Sequence, residues 1–139
     1  MASECNSILV VDDNESDRML AQFAIEDAGV TKKIFFSNDG EDALNFMKEY
    51  DVYKKKEGDL YPPNVVLLDI NMPKMNGFEF LEQYEKLNAD ERYQSLVVLM
   101  LTSSHSDEDK ARAEKYDAVK GFITKPITEE RIAEIVAGL

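Results

Sequence analysis

The chain has 139 residues, of which 44% are hydrophobic, and it carries a formal net charge of -12. This length and composition predict one globular domain with a full hydrophobic core. A surface this acidic argues against binding to nucleic acids or anionic membranes, because phosphate groups are bound by clustered lysine and arginine side chains. The short basic run Lys54-Lys55-Lys56 is interpreted as a solvated helix end.

The sequence indicates a cytoplasmic protein. It has no apolar run of the roughly 20 residues that a membrane-spanning helix needs. The first residues, from Met1 to Glu4, lack the basic start and the apolar stretch of a secretory signal. Cys5 is the single cysteine, so no internal disulfide can form, and a reducing compartment is the simpler interpretation.

Short apolar runs predict five strands, each followed by a segment that can form a helix. The predicted strands are Ser7–Val11, Lys33–Phe36, Val65–Leu68, Leu96–Leu101 and Gly121–Ile123. Strands that alternate with helices indicate an α/β protein, with a doubly wound five-stranded parallel sheet and five helices on its two faces.

The first helix is predicted over residues 16–29, with an apolar arc wider than one face requires. At about 100° per residue, Leu20, Ala24 and Ala28 form a stripe that faces the sheet, and Met19 and Phe23 widen it. We interpret Met19 and Phe23 as a docking surface for a partner protein, because a methionine and an aromatic residue suit an adaptable interface. The alternative is that both pack under a neighbouring helix.

Capping residues predict where three further helices begin. The run Asn38-Asp39-Gly40-Glu41 opens a helix that continues through Tyr50, and Thr128 opens the last helix. Ser104 or Ser106 caps a helix before Asp107. Between residues 54 and 63 we expect a long surface connection.

Polar residues follow four of the predicted strands. Asp12 and Asp13 end the first strand, Asp69 the third and Thr102-Ser103 the fourth, and Lys125 follows the fifth. In a doubly wound sheet, ligands bind beyond the carboxyl ends of the strands. The sequence therefore predicts one pocket that contains three acids, two hydroxyl groups and one ammonium group.

This set of side chains favours magnesium and phosphoryl chemistry. Three carboxylates without a nearby histidine or cysteine match a hard cation, Mg²⁺ with Mn²⁺ as a substitute, whereas Ca²⁺ would require a denser cage of oxygens. Once the acids are neutralised, Lys125 and the cation could hold phosphoryl oxygens. Asp69 could then act as the nucleophile, because carboxylates form aspartyl-phosphates.

Four segments in this order resemble the receiver domain of two-component response regulators, in particular the single-domain chemotaxis regulators. They are Val10-Val11-Asp12-Asp13-Asn14, Asp69-Ile70-Asn71-Met72-Pro73-Lys74-Met75-Asn76-Gly77, Leu101-Thr102-Ser103 and Thr124-Lys125-Pro126. The resemblance implies a flavodoxin-like fold with strand order 2-1-3-4-5. It also implies a single receiver domain over residues 1–139, with no output domain.

The resemblance assigns a role to each residue of the pocket. Asp69 is the expected phosphoacceptor. Asp12 and Asp13 are expected to hold Mg²⁺ together with Asp69, and Asn71 to contribute its backbone carbonyl.

Two further residues are the expected switch. The resemblance implies that the hydroxyl of Thr102 would contact the phosphoryl group and that Phe122 would enter the space that Thr102 leaves. By the same resemblance, Lys125 would pair with Asp69 or with the phosphoryl oxygens, and a cis peptide bond is expected between Lys125 and Pro126. Because phenylalanine has no hydroxyl group, we expect this switch to depend on packing. The alternative for Phe122 is an ordinary core residue.

We therefore expect a stand-alone receiver that accepts a phosphoryl group on Asp69 from a histidine kinase or a histidine phosphotransfer protein. It would signal through phosphorylation-dependent protein binding and would not be an enzyme beyond self-directed phosphotransfer and slow autodephosphorylation. One alternative is a metal-dependent phosphohydrolase of the haloacid-dehalogenase type, which would require an Asp-x-Asp nucleophile and a cap domain. Another is a flavodoxin-like cofactor carrier, which would require a Gly-, Ser- and Thr-rich phosphate loop.

Overall fold

The five predicted strands are confirmed in the structure, a computed structural model that describes residues 5–87, 96–102 and 107–139. They are β1 (Cys5–Val11), β2 (Thr31–Ser37), β3 (Val65–Asp69), β4 (Val97–Thr102) and β5 (Val119–Thr124). β3 and β4 extend past their predicted ends because parallel pairing continues there, between Asp69 and Leu101 and between Thr102 and Thr124. The ends of these two strands therefore include Asp69 and Thr102 of the predicted pocket.

All strand pairs in the sheet are parallel, and the strand order is β2-β1-β3-β4-β5. This confirms the predicted doubly wound, flavodoxin-like sheet. The chain leaves β1 and β3 toward opposite faces of the sheet, so a crevice opens beyond their carboxyl ends.

The described part of the chain contains six helices, where the sequence predicted five. They are α1 (Glu15–Ala28), α2 (Gly40–Lys48), α3 (Tyr50–Glu57), α4 (Gly77–Leu87), α5 (Asp107–Ala113) and α6 (Glu129–Ala137). Asp39 and Thr128 cap α2 and α6 as predicted, by accepting hydrogen bonds from the backbone of Asp42 and Arg131. Ser104 and Ser106, the predicted caps of α5, lie outside the described residues.

The additional helix is α3, which occupies part of the connection predicted between residues 54 and 63. The helix predicted to continue through Tyr50 ends at Lys48, because α2 is closed there by Tyr61. The buried Tyr61 hydroxyl donates to the carbonyl oxygens of Phe46 and Met47, at 2.7 and 3.1 Å, near the end of α2. The basic run lies in the last turn of α3, as predicted.

Helices cover both faces of the sheet. α1 and α6 pack on one face over a core that includes Ile8, Val10 and Leu67. α2, α4 and α5 pack on the other face, over a core that includes Leu9 and Leu68. No helix among the described residues has both the length and the apolar character needed to cross a membrane.

The predicted buried stripe of α1 is partly wrong. Ala21, Ala24 and Ile25 form its buried face, whereas Leu20 is 49% exposed. The helix is rotated relative to the prediction because its contacts with α6 as well as with the sheet determine which side is covered. Met19 and Phe23 are 49% and 53% exposed, so the alternative in which they pack under a neighbouring helix does not describe this structure.

Gly77 allows α4 to begin directly behind Asp69. Its backbone N–H donates to the carbonyl oxygen of Ile70 at 3.0 Å. A Cβ atom on Gly77 would lie 2.7 Å from the carbonyl oxygen of Asp69, closer than packing allows. Asn76 and Glu79 form a reciprocal capping box at the same helix start. Because Gly77 has no side chain, α4 can begin this close to the backbone of Asp69.

Replacing Gly77 with alanine should lower the free energy of unfolding by about 1–3 kcal/mol, because the new methyl group overlaps buried backbone. Urea denaturation measures this difference. The matched control is Gly138→Ala, whose Cβ would meet nothing closer than 3.6 Å. Equal stability of the two variants would contradict this account of Gly77.

Candidate functional site

Asp12 is the most deeply buried acid at the carboxyl edge of the sheet. Asp12 is 1% exposed and lies directly after β1. Its Oδ1 accepts a hydrogen bond from the backbone N–H of Asn14 at 3.0 Å, and its carbonyl oxygen accepts one from the Arg18 guanidinium at 2.6 Å. The start of α1 thus fixes both polar ends of Asp12.

Lys125 places an ammonium group among carboxylates from separate parts of the chain. Its Nζ lies 2.7 Å from Asp12 Oδ2, 3.0 Å from Asp17 Oδ2 and 3.5 Å from Asp69 Oδ2. Its backbone N–H donates to the carbonyl oxygen of Thr102 at 2.8 Å, which joins the loop after β5 to the end of β4. The expected cis peptide bond to Pro126 is present.

Three of the acids are arranged as a metal site would require. Carboxylate oxygens of Asp12, Asp13 and Asp69 all lie within 4.8 Å of one another, with Asp13 exposed and the other two buried. This donor set consists only of carboxylate oxygens, which suits a hard cation such as Mg²⁺. The open side at Asp13 leaves room for the waters and phosphate oxygens that Mg²⁺ usually retains.

The electrostatics of Asp69 agree with that fit. Burial, and next the negative charge of Asp12, raise the pKa of Asp69 from an ordinary value of 3.8 to about 6, although Lys125 and a hydrogen bond from the Asn71 backbone oppose the rise. Burial alone would lower the pKa of Lys125, but its hydrogen bonds to Asp12 and Asp17 reverse this effect and raise it. The site therefore holds a firmly charged ammonium beside a carboxylate that a divalent cation would stabilise.

Thr102 and Phe122 lie on the neighbouring strands β4 and β5, and their roles as a switch stay predictions. Thr102 is buried at the end of β4, one residue beyond the partner of Asp69 in the sheet. Phe122 lies on β5 opposite Met100 and is half-buried against the core. The Lys110 ammonium lies 5.9 Å from the centre of its ring. Ser103 lies outside the described residues.

Two residues of this site were missed in the sequence. Asp17 contacts Lys125, and Arg18 contacts Asp12. Both are in the first turn and a half of α1, where an acid normally indicates only a favourable position in the helix dipole. The sequence also predicted Asp69 as the partner of Lys125, whereas Asp12 and Asp17 lie closer.

Residues 8–137 match the family described as the response regulator receiver domain. The chain belongs to this family. Receiver domains are signalling proteins of two-component systems that interact with histidine kinases and phosphotransfer proteins. The expected family is thereby confirmed.

Relatives of this receiver domain include both regulators and a solved chemotaxis protein. This chain is 34% identical to the probable methanogenesis regulatory protein FilR2 of Methanothrix harundinacea, over 93% of the chain and 77% of that protein. It is 28% identical to response regulator Rcp1 of Synechocystis, over 100% and 91% of the two chains. The structure of chemotaxis protein CheY4 of Vibrio cholerae matches with a TM-score of 0.71 and 28% identity, over 96% and 98%.

The raised pKa of Asp69 predicts how the metal-free receiver depends on pH. The folded protein binds this proton more tightly than the unfolded chain, so stability from this group increases as pH falls through 6 toward 4. At pH 8 the free energy of unfolding of Asp69→Asn should therefore exceed that of wild type by on the order of 1–3 kcal/mol. This difference, the stability gap, should narrow at pH 4.

Urea denaturation in a metal chelator at both pH values measures this gap. Asp117→Asn is the control, because Asp117 is exposed and precedes β5 at the opposite end of the sheet. A gap that is absent at pH 8, or equally large at pH 4, would contradict the assigned charge balance at Asp69.

Proposed function

We propose that this receiver takes a phosphoryl group onto Asp69 from a phosphohistidine of a histidine kinase or phosphotransfer protein, in a Mg²⁺-dependent reaction. The observation that carries the proposal is the buried carboxylate of Asp69, 3.5 Å from the Lys125 ammonium and within 4.8 Å of the oxygens of two further acids. A carboxylate placed among cation-binding groups is suited to attack phosphorus.

In the proposed step, a carboxylate oxygen of ionised Asp69 attacks phosphorus while the phosphorus–nitrogen bond of the donor breaks. The electron pair of that bond returns to the imidazole nitrogen, which takes a proton from solvent. Lys125 balances the charge of the phosphoryl oxygens. Asp12, Asp13, Asp69 and the backbone carbonyl of Asn71 would hold Mg²⁺, which supplies neutralisation of the acids and of the phosphoryl oxygens when bound.

The phosphoryl group would be detected by Thr102 and Phe122. Its oxygens offer acceptors to the Thr102 hydroxyl at the end of β4. Movement of Thr102 would open space for the half-buried ring of Phe122 on the neighbouring strand. A change in the packing of Phe122 alters the surface formed by α5, β5 and α6, where a downstream protein would bind.

We further propose that the receiver acts as a cytoplasmic, stand-alone module. The alignments with this chain cover 91% of Rcp1 and 98% of the CheY4 chain. These two similar proteins are thus matched over nearly their whole length, which supports the proposal. Its chemistry would be confined to its own phosphoryl group, and its output would be protein binding.

Met19 and Phe23 are the proposed docking surface for the phosphodonor. Both are exposed on α1, and the same helix contributes Asp17 to the pocket around Lys125. The exposed Leu20 lies between them and borders that pocket. A donor protein that covers these side chains would thus lie beside the site that receives its phosphoryl group.

Incubation with acetyl phosphate and Mg²⁺ should add one phosphoryl group to the wild-type protein, measured by intact mass. Asp69→Asn should gain none, because it lacks the nucleophile, and a metal chelator should prevent the gain in wild type. Asp13→Asn should need at least about tenfold more Mg²⁺ to reach the same labelling. Changing residues that only orient metal ligands already weakens metal binding 10–100-fold. Equal labelling of wild type and Asp69→Asn would refute the assignment.

Substitution of Met19 and Phe23 by alanine should slow phosphoryl transfer from the donor protein, because the donor loses apolar contact area. Labelling by acetyl phosphate should not change, since a small donor does not need the surface. Val52→Ala is the control, because Val52 is 61% exposed on α3, on the other face of the sheet. Unchanged protein-to-protein transfer in the folded double variant would end this hypothesis.

A further inference from the structure

Asp17 is an acid at the site that belongs neither to a strand end nor to the proposed metal ligands. It lies in the first turn of α1, and its Oδ2 accepts a hydrogen bond from Lys125 Nζ at 3.0 Å. Asp69 is 3.5 Å from the same nitrogen. Lys125 is therefore held closer to α1 than to the proposed phosphoacceptor.

The ammonium of Lys125 has three N–H donors, and two acids already lie within hydrogen-bonding distance. One N–H therefore remains for a phosphoryl group on Asp69, and Lys125 must turn away from one of the two acids to offer that group a second hydrogen bond. The side chain of Asp12 is 1% exposed, so the oxygen that faces Lys125 could not be hydrated if the ammonium moved away. The side chain of Asp17 is 37% exposed and can be hydrated in place of its ion pair.

We infer that Asp17 is a positioning residue that holds Lys125 away from Asp69 in the unphosphorylated receiver, and that phosphorylation transfers Lys125 from Asp17 to the phosphoryl group. This inference rests on the proposed function of Asp69. The crevice between Asp17, Leu20, Lys125 and Pro126 has a volume of about 10 Å³, room for about one water molecule. Asp17 and Lys125 are in direct contact beside it, because Oδ2 of Asp17 and Nζ of Lys125 are 3.0 Å apart.

The exchange links the phosphoryl group to the proposed docking helix. When Lys125 leaves, the carboxylate of Asp17 becomes an unpaired negative charge one turn from Leu20. That charge adjoins the surface that the phosphodonor covers, and it would repel a donor with acidic groups there. The helix itself does not depend on the ion pair, because Asn14 caps it by accepting a hydrogen bond from the Asp17 backbone at 2.9 Å.

The test uses beryllofluoride with Mg²⁺ as a phosphoryl mimic, with affinity measured by titration calorimetry. Asp17→Asn should bind it about two- to fivefold more tightly than wild type, the range expected for one partly exposed ion pair. Glu15→Gln is the matched control, since it removes an acid from the same helical turn and should change affinity less. In a Lys125→Gln background, Asp17→Asn should have no effect, because Asp17 acts through Lys125.

A second readout needs neither Mg²⁺ nor phosphorylation. In the metal-free receiver, the ¹⁵Nζ resonance of Lys125 should shift in Asp17→Asn and stay in place in Glu15→Gln. An unchanged resonance, unchanged or weaker beryllofluoride binding by Asp17→Asn, or an equal gain in the Lys125→Gln background would overturn the inference. A wild-type receiver that binds no beryllofluoride would instead contradict the proposed function, while the resonance still tests the contact.

Discussion

The ammonium of Lys125 among carboxylates is the interaction on which the geometry of the site depends. It joins the loop after β5 to the end of β1, to the first turn of α1 and to the end of β3. Within the described residues, Asp12, Asp13, Asp17 and Asp69 outnumber the cations Lys125 and Arg18 at this edge of the sheet. Burial, and next the negative charge of Asp12, raise the pKa of Asp69, so this site is stable only with a further cation or with a proton.

The fold maintains this unfavourable concentration of charge because the sheet leaves little freedom at the strand ends. Parallel pairing fixes the register of β3 against β1 and β4, and apolar cores on both faces hold the strands in place. The close approach of α4 at Gly77 adds a second constraint on the backbone at Asp69. Such pre-organisation is what phosphoryl transfer requires, since its catalysis depends on positioning and on charge stabilisation.

The sequence predicts the parts of this structure that arise from local patterns. The five strands follow from apolar runs, and the meeting of Asp12, Asp69 and Lys125 follows from where those runs end. The strand order could be predicted only through the family resemblance. α3 was not predicted, because its stability comes from aromatic contacts of Tyr50 and Tyr53 with the distant Tyr61 and not from an apolar period of its own.

Errors in α1 have the same tertiary origin. The contact of α1 with α6 determines which side is buried, so a helical projection placed Leu20 on the wrong face. Asp17 was missed because its partner lies 108 residues away, and an acid in a first helical turn has a sufficient local explanation. A local sequence pattern does not indicate long-range ion pairs, whereas it does indicate where strands end.

Borohydride trapping tests the central claim most directly, because hydride reduces an aspartyl-phosphate to homoserine and so marks the residue that carried it. The receiver is phosphorylated with Mg²⁺ present, treated with borohydride, digested and sequenced by tandem mass spectrometry. The account predicts homoserine at position 69 and at no other aspartate. Homoserine at position 12, 13 or 17, or a phosphorylated protein without homoserine at position 69, would contradict it.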